Sequence, residues 1–295
     1  MRRRKAKMVR RTNIVHEIPQ WFPWNGSKRW LVKHLASIID AWDGDGVYFE
    51  PFVGGGSVST LVRVLFPDAK QCLSDANPWV MAAFQSQLLD DRKIAENFTD
   101  TKYWRGLRDA DLRSLTTIER ANRFAICLFT AWGNRWKSKA DGSMGTENPI
   151  NNKFVQPEYL KKRLNKFFSV KWLRTGDEVV HADWKETLKN VAEGDLVYID
   201  PPYPESLGYG NQWWSFSDQL DVVDWVADAV GKGINVVVSN MATLERLYRR
   251  VGLQTMIVDG PKTSKTRTSR QEVIAWKIGK ANYAKKKQKN QNGID

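Results

Sequence analysis

Val47-Tyr48-Phe49-Glu50-Pro51-Phe52-Val53-Gly54-Gly55-Gly56-Ser57-Val58 reads as a short apolar strand, a glycine-rich turn and the start of a helix. Three glycines at a strand–helix junction let the backbone pass close to a ligand, and the first turn of a helix favours negative charge. A second strand, Gln71 to Leu73, ends at Asp75. That carboxylate lies 21 residues after Gly54, where it can accept ribose hydroxyls. A tight turn with no ligand has the same pattern. The stretch is neither a dinucleotide fingerprint nor a Walker loop: Ser59 stands in place of the third glycine, and no Walker lysine follows.

Working outward, Trp30 to Ile39 has apolar residues at helical spacing and predicts a helix starting near Ser27. A helix follows the glycine turn as far as Phe66, and another runs from Pro78 to Leu89. Strand–helix–strand–helix order predicts a parallel sheet with helices on its faces. The pattern then breaks for about 80 residues. That segment has an apolar helix from Ile118 to Trp132, a loop rich in Gly, Asn, Ser and Lys from Gly133 to Asn152, and a charged helix from Pro157 to Phe168. Alternation resumes at Val179, with a strand at Leu196–Ile199, a helix at Leu220–Val230, a buried strand at Val236–Val238 and a late strand at Val273–Ile278. The fold class is α/β, a core split by a mainly helical insertion.

Charge follows the same division. The formal charge of +13 resides almost wholly in two tails, residues 1–12 and 277–295, which together carry +12. Residues 101–175 carry 16 basic and 6 acidic residues, whereas 13–100 and 176–276 together carry 17 basic and 26 acidic. The expected organisation is a basic N-terminal tail (1–12), a catalytic core (13–100 and 176–276), a nucleic-acid-binding insertion (101–175) and a basic C-terminal tail (277–295). Trp104, Trp132, Trp136 and Trp172 are interleaved with the insertion's charge, and aromatic faces stack on bases while Lys and Arg neutralise phosphates. Two distant cysteines, Cys72 and Cys127, exclude a disulfide scaffold and a Cys-rich zinc site. No apolar run has the length of a membrane helix, and no apolar stretch follows the basic N-terminus as in a secretory signal. The expectation is a cytoplasmic protein that uses no metal and no membrane; His16, His34 and His181 read as structural.

A second motif, Asp200-Pro201-Pro202-Tyr203, directly follows the apolar strand. Two prolines cannot continue a ladder, having lost two N–H donors. They leave the Asp200 carboxylate and the Pro201 carbonyl as acceptors at the sheet edge where α/β folds bind ligands, with the Tyr203 ring beside them. Two acceptors and a ring suit methylation of the exocyclic amine of an extruded nucleobase.

These motifs resemble the Dam-like (D12 class, class α) DNA adenine N6-methyltransferases, over about Trp24 to Trp276. Trp24-Asn25-Gly26-Ser27-Lys28, Glu50 to Ser57, Asp75-Ala76-Asn77 and Asp200 to Tyr203 match four family motifs in the family's order, with an insertion before the last. The resemblance implies a Rossmann-like S-adenosylmethionine-dependent methyltransferase core carrying an inserted target-recognition domain. Trp24, Lys28 and the turn from Phe52 through Gly54 to Gly56 would hold the methionine part and carboxylate of S-adenosylmethionine, and Asp75 its ribose. Asp183, in Ala182-Asp183-Trp184, would lie at the cofactor adenine, and equally suits an N-cap of the following helix. Asp200, with Pro201, Pro202 and Tyr203, would orient the target adenine at its junction with the cofactor. The stretch closest to the family's DNA-contacting loop is Trp132-Gly133-Asn134-Arg135-Trp136-Lys137, which departs from the family pattern and leaves the recognition sequence open.

The expected activity is transfer of a methyl group to N6 of a flipped-out adenine in double-stranded DNA, for restriction–modification (with or without a cognate restriction enzyme), phage protection or regulation. Cytosine N4 or RNA adenine methylation, and a catalytically silent DNA-binding subunit, are the rival readings. Arg135 and Lys137 are the candidates to read bases, and Lys161 and Lys162 to contact phosphates. Arg267, in the basic loop Gly260 to Arg270, is a further DNA candidate or a solvated loop residue. The aromatic loop Gly208 to Phe216 would close over the flipped base or serve packing.

Overall fold

A computed structural model describes residues 14–24, 26–90, 93, 100, 102–103, 106, 110–130, 157–203, 214–261 and 271–279. Arg135, Lys137, Arg267, Trp104, Trp132, Trp136, the basic N-terminal tail, residues 280–295 of the C-terminal tail and all but Trp214–Phe216 of the aromatic loop lie outside the described residues.

Seven strands form one sheet: β1 (Tyr48–Glu50), β2 (Gln71–Asp75), β3 (Glu178–His181), β4 (Leu196–Ile199), β5 (Asn235–Met241), β6 (Gln254–Asp259) and β7 (Gln271–Lys277). Their order is β3-β2-β1-β4-β5-β7-β6. The first five run parallel, and β7 lies antiparallel between β5 and β6. Parallel strands need covered faces, and β4 is buried at every position, as its unbroken Leu-Val-Tyr-Ile run requires. Sequence reading found five of these seats and part of a sixth, at Val179. It missed β6, whose six residues are squeezed between Gly252 and Gly260 and are half-exposed at the sheet edge, so they show little apolar signal.

Among the described residues the helices are α1 (Ile14–Glu17), α2 (Val32–Ile39), α3 (Ser57–Leu65), α4 (Pro78–Ser86), α5 (Thr117–Thr130), α6 (Pro157–Ser169), α7 (Trp184–Thr187), α8 (Phe216–Gly231) and α9 (Glu245–Arg250). A single 3-10 turn, Lys28–Leu31, leads into α2. α4 starts where Asn77 accepts N–H bonds from Trp79 and Val80, with Pro78 in the first turn. α8 starts four residues earlier than its apolar pattern suggests. Ser215 and Asp218 form a reciprocal capping box there, each side chain accepting from the other's backbone N–H.

The helices α5 and α6 of the 101–175 segment share one apolar cluster with the core. Trp21 stacks on Phe167 of α6 at 5.0 Å and 8°, and Phe22 meets Phe124 of α5 edge-on at 5.2 Å. Trp172, one of the four tryptophans interleaved with the insertion's charge, is core. It packs edge-on against Trp21 and Phe84 with only 9% exposure, because its ring fills the aromatic cluster beneath the glycine turn.

A buried ion pair ties α3 to the entrance of β3. Arg63 Nη2 lies 2.6 Å from Asp177 Oδ2, with side chains 8% and 3% exposed. The same carboxylate accepts the N–H groups of Gln71 and Arg174, and Arg63 also donates to the carbonyls of Pro67 and Ala69. Removing one partner strands the other charge in the interior. Asp177→Ala should therefore cost about 3–5 kcal/mol of stability, read as a lowered urea midpoint with an unchanged slope.

Candidate active site

β1 ends at Glu50, and the turn after it is tied down on both sides. Val53 N–H donates to the Ser74 carbonyl at 3.0 Å, which anchors the turn to β2, and Gly56 N–H donates to the Val53 carbonyl at 2.8 Å. Gly54 and Gly56 have φ of +46° and +69°, which L side chains rarely adopt. Space forbids a side chain there as well. A Cβ on Gly54 would sit 2.6 Å from Trp24 Nε1, and one on Gly56 2.8 Å from Phe84 Cζ. Ser57 then opens α3, its hydroxyl 3.0 Å from that of Ser27.

Asp75, at the end of β2, accepts the N–H groups of Gly54 at 3.0 Å and Asn77 at 2.9 Å, one on each oxygen. Burial nevertheless pushes its carboxyl up from 3.8 to about 6, the two backbone N–H groups offsetting only part of the desolvation. Asp183 accepts from Lys185 N–H at 2.9 Å and so caps α7, and it also lines the cavity described next. The two readings of that residue are compatible.

Glycine turn, β2 end, α7 start and the residues after β4 surround a cavity of about 360 Å³. It brings together Trp24, Lys28, Phe52, Gly54, Gly56, Asp75, Asp183, Asp200, Pro201, Pro202 and Tyr203. Asp200 is held by two donors. Lys28 Nζ lies 2.8 Å from Asp200 Oδ1, and Ser239 donates to the same oxygen at 2.9 Å. Lys28 is only 6% exposed and lies 5.2 Å from the Tyr203 ring centroid. Its ammonium therefore faces the Asp200–Tyr203 motif. Burial pushes the Asp200 carboxyl up, and Lys28 and Ser239 pull it partly back. Pro202 is held from outside the motif, its carbonyl accepting from Gln219 Nε2 at 2.7 Å.

Several cavity residues escaped sequence reasoning. Glu50 belongs to the glycine motif, but nothing in its spacing marks it as a buried carboxyl. It accepts from Tyr48 Oη at 2.8 Å, is 2% exposed, and burial drives its pKa well above the usual carboxylate value. Trp184, from the Asp183 motif, and Trp214, from the aromatic loop, were both within stretches the sequence singled out; they flank Phe52, with ring centroids at 6.2 and 5.5 Å, and make an aromatic wall. Tyr198 points inward from a strand whose apolar run masks it. Behind the lining, Ser239 of β5 reaches Asp200 and Glu272 of β7 lies 3.9 Å from Lys28; the polar pair Ser239-Asn240 following the Val236–Val238 run was the available signal for the first. Among the described residues, no group of three or more His, Cys, Asp or Glu is placed to hold a metal ion, and no helix is long and apolar enough to cross a membrane.

Of the DNA candidates, Lys161 and Lys162 lie exposed on α6, whose Leu160, Leu164 and Phe167 are buried against the core. That is one amphipathic helix with its basic face outward.

The glycine turn and the Asp-Pro-Pro-Tyr loop share one cavity at the carboxyl ends of parallel strands, the place where open α/β sheets bind ligands. Residues 24–260 match the D12 class N6 adenine-specific DNA methyltransferases, and the chain belongs to that family. It is 25% identical over 247 residues to the type II methyltransferase M1.LlaDCHI of Lactococcus lactis subsp. cremoris, covering 77% of this chain and 83% of that protein. It is 22% identical over 251 residues to a DNA N-6-adenine-methyltransferase of Escherichia phage P1, covering 79% of this chain but 31% of that protein. Among solved structures, a precorrin-6y C5,15-methyltransferase from Geobacter metallireducens aligns over 88% of this chain and 94% of its own, at 13% identity and a TM-score of 0.40.

The raised Asp75 carboxyl has a consequence for stability. The folded chain takes up this proton near pH 6, the unfolded chain only near 3.8. Its favourable contribution is complete below the lower value and is lost as pH rises to about 6. The stability of the wild type relative to Asp75→Asn should fall between about pH 4 and pH 6 and be level above, measured by urea unfolding across that range. A difference that is flat with pH would mean that burial does not raise this carboxyl.

Proposed function

We propose that this chain transfers the methyl group of S-adenosylmethionine to N6 of an adenine extruded from double-stranded DNA. The observation that carries the reading is the state of Asp200. Both of its protein donors meet Oδ1, which leaves Oδ2 without a partner among the described residues, inside the cavity that the glycine turn also lines.

The cavity fits the cofactor on chemical grounds. Gly54, Gly55 and Gly56 line the cavity with no side chain of their own, which lets a ligand approach the backbone, and the start of α3 behind them favours a carboxylate. Asp75 supplies acceptors for ribose hydroxyls, and Phe52, Trp184 and Trp214 supply apolar faces for a purine. Trp24 would close the methionine end. When bound, S-adenosylmethionine provides a methyl group activated by the positive sulfur that carries it.

The chain's own residues do the rest. Asp200 Oδ2 and the Pro201 carbonyl accept the two N–H groups of the adenine amine, and the Tyr203 ring clamps the base. With its hydrogens held, the amine turns its lone pair out of conjugation towards the methyl carbon; as the N–C bond forms, the bonding pair of the broken S–C bond would stay on sulfur as a neutral thioether, and the methylated amine would release one of its two protons to solvent. Catalysis comes from orientation and a preorganised charge rather than a covalent step. Lys28, facing Asp200 across 2.8 Å, favours its ionised, accepting form against the burial that pushes the carboxyl up.

Docking of DNA falls to the 101–175 segment. A core of net −9 repels a duplex, and the exposed lysines of α6 offer the opposite charge. Lys161 and Lys162 would contact phosphates, whereas Arg135 and Lys137 would read base edges and Arg267 would support the same face.

Asp200→Ala should abolish labelled methyl transfer to duplex DNA while leaving most DNA affinity, and Asp75→Ala should weaken S-adenosylmethionine binding by about 1–3 kcal/mol in calorimetry. Product digestion yielding N4-methylcytosine alone, activity confined to RNA, or no transfer at all would overturn the assignment. Lys162→Ala should weaken binding to all duplexes alike and flatten the salt slope by about one unit. Arg135→Ala should relax the choice of methylated site, seen by methylome sequencing of cells expressing the variant.

A further inference from the structure

Ser239 and Asn240, consecutive in β5, are wholly buried, and neither lies in a motif that carried the resemblance. Successive side chains of a strand leave opposite faces of the sheet. On one face, Tyr198 Oη lies 2.7 Å from Ser239 Oγ, which donates to Asp200 Oδ1 at 2.9 Å. A serine hydroxyl has one hydrogen. Because Asp200 takes it, Oγ accepts from Tyr198, and the relay runs from Tyr198 through Ser239 to the carboxylate. On the other face, Asn240 Nδ2 donates to Gln219 Oε1 at 2.8 Å and to Tyr248 Oη at 3.0 Å. Gln219 in turn donates to the Pro202 carbonyl at 2.7 Å.

We propose that the Ser239–Asn240 pair is the positioning element of the Asp200–Tyr203 loop. It clamps the loop's carboxylate from one face of the sheet and its backbone from the other, so that Asp200 Oδ2 and the Pro201 carbonyl are presented together to the substrate amine. This rests on the proposed function for the identity of that amine. Lys28 alone would leave the Asp200 carboxylate free to turn about its Cβ–Cγ bond; a second donor arriving at the same oxygen from β5 fixes its plane. The relay's direction matters too. Every hydrogen in it points towards Asp200, which favours the anion and keeps both oxygens as acceptors. Gln219 fixes the second proline, so the carbonyl before it has a set direction. The ionisable groups around Asp200 are Lys28 from the 3-10 turn, Glu50 on β1, Tyr198 on β4, Tyr248 on α9, and Glu272 on β7 beyond Lys28. Of these Lys28 alone is a cation, so loss of the Ser239 donor leaves its ammonium to offset the burial of Asp200 without a second hydrogen bond.

The test uses the full chain with aspartate carboxyl carbons labelled with carbon-13, the Asp200 signal being identified by its loss in Asp200→Asn. Ser239→Ala should raise the titration midpoint of Asp200 by about one pH unit or more, and Ser239→Thr, which keeps the hydroxyl, should restore it. In steady-state methyl transfer Ser239→Ala should lower kcat about 10- to 100-fold with both KM values within about threefold. Gln219→Met should lower kcat without moving the midpoint, since it acts on the Pro202 carbonyl. An unmoved midpoint in folded Ser239→Ala, or equal loss of kcat in the alanine and threonine variants, overturns the proposal. Should Ser239→Ala fail to fold, Tyr198→Phe reads the same relay one step back: a smaller upward shift supports it and none overturns it. A wild type that transfers no methyl group would sink the proposed function alone, because the titration still decides the positioning role.

Discussion

The parallel pairing of β1 with β4 is the contact on which the site depends. Tyr48 registers with Leu196 and Phe49 with Val197, joining segments almost 150 residues apart. The pairing is fastened at its entrance, where Val47 N–H donates to Asp195 Oδ1 at 2.8 Å, Leu196 N–H to the Val47 carbonyl at 3.0 Å, and Trp42 Nε1 to the Gly194 carbonyl at 2.9 Å. Because both strands run the same way, their carboxyl ends leave the sheet on one side. The glycine turn and the Asp200–Tyr203 loop must then face each other. A slip of one residue would turn every side chain of β4 to the opposite face and take Tyr198 away from Ser239.

The cavity these ends enclose is lined by three carboxyl groups held out of water. Glu50, Asp75 and Asp200 are all pushed upward by burial, each by desolvation first. Such a site is poorly suited to stability and well suited to a ligand that brings donors and positive charge, since binding returns the hydrogen bonds that burial removed. Each carboxyl is partly compensated by a different device. Tyr48 serves Glu50, two backbone N–H groups serve Asp75, and Lys28 with Ser239 serves Asp200.

The helical segment between β2 and β3 joins this core through an aromatic cluster. Trp21, Phe84, Phe124, Phe167 and Trp172 meet within ring distances of 5.0 to 6.2 Å, and the Gly56 cradle rests on two of them. The apolar side of α6 is thus part of the wall behind the glycine turn, while Lys161 and Lys162 remain outside. A single helix links the surface proposed for phosphates to the turn proposed for the cofactor.

Local chemistry made much of this legible in the residues alone. Glycines at a strand–helix junction, an acid closing the next strand and two prolines ending an apolar run each restrict the backbone by themselves, so the parallel core and most of the cavity lining could be read in order along the chain. What the sequence did not carry was any partnership across the sheet. Nothing near Lys28 announces Asp200, and nothing near Trp172 distinguishes an aromatic cluster from a base platform. Glu50 looks like any acid, Ser239 like any strand serine, and β6 lacks the apolar run that marks a buried strand. Those identities follow from distance and burial, which strand order and register set: covalent neighbours determined which backbone shapes were possible, and tertiary packing decided which charges and hydroxyls would meet out of water.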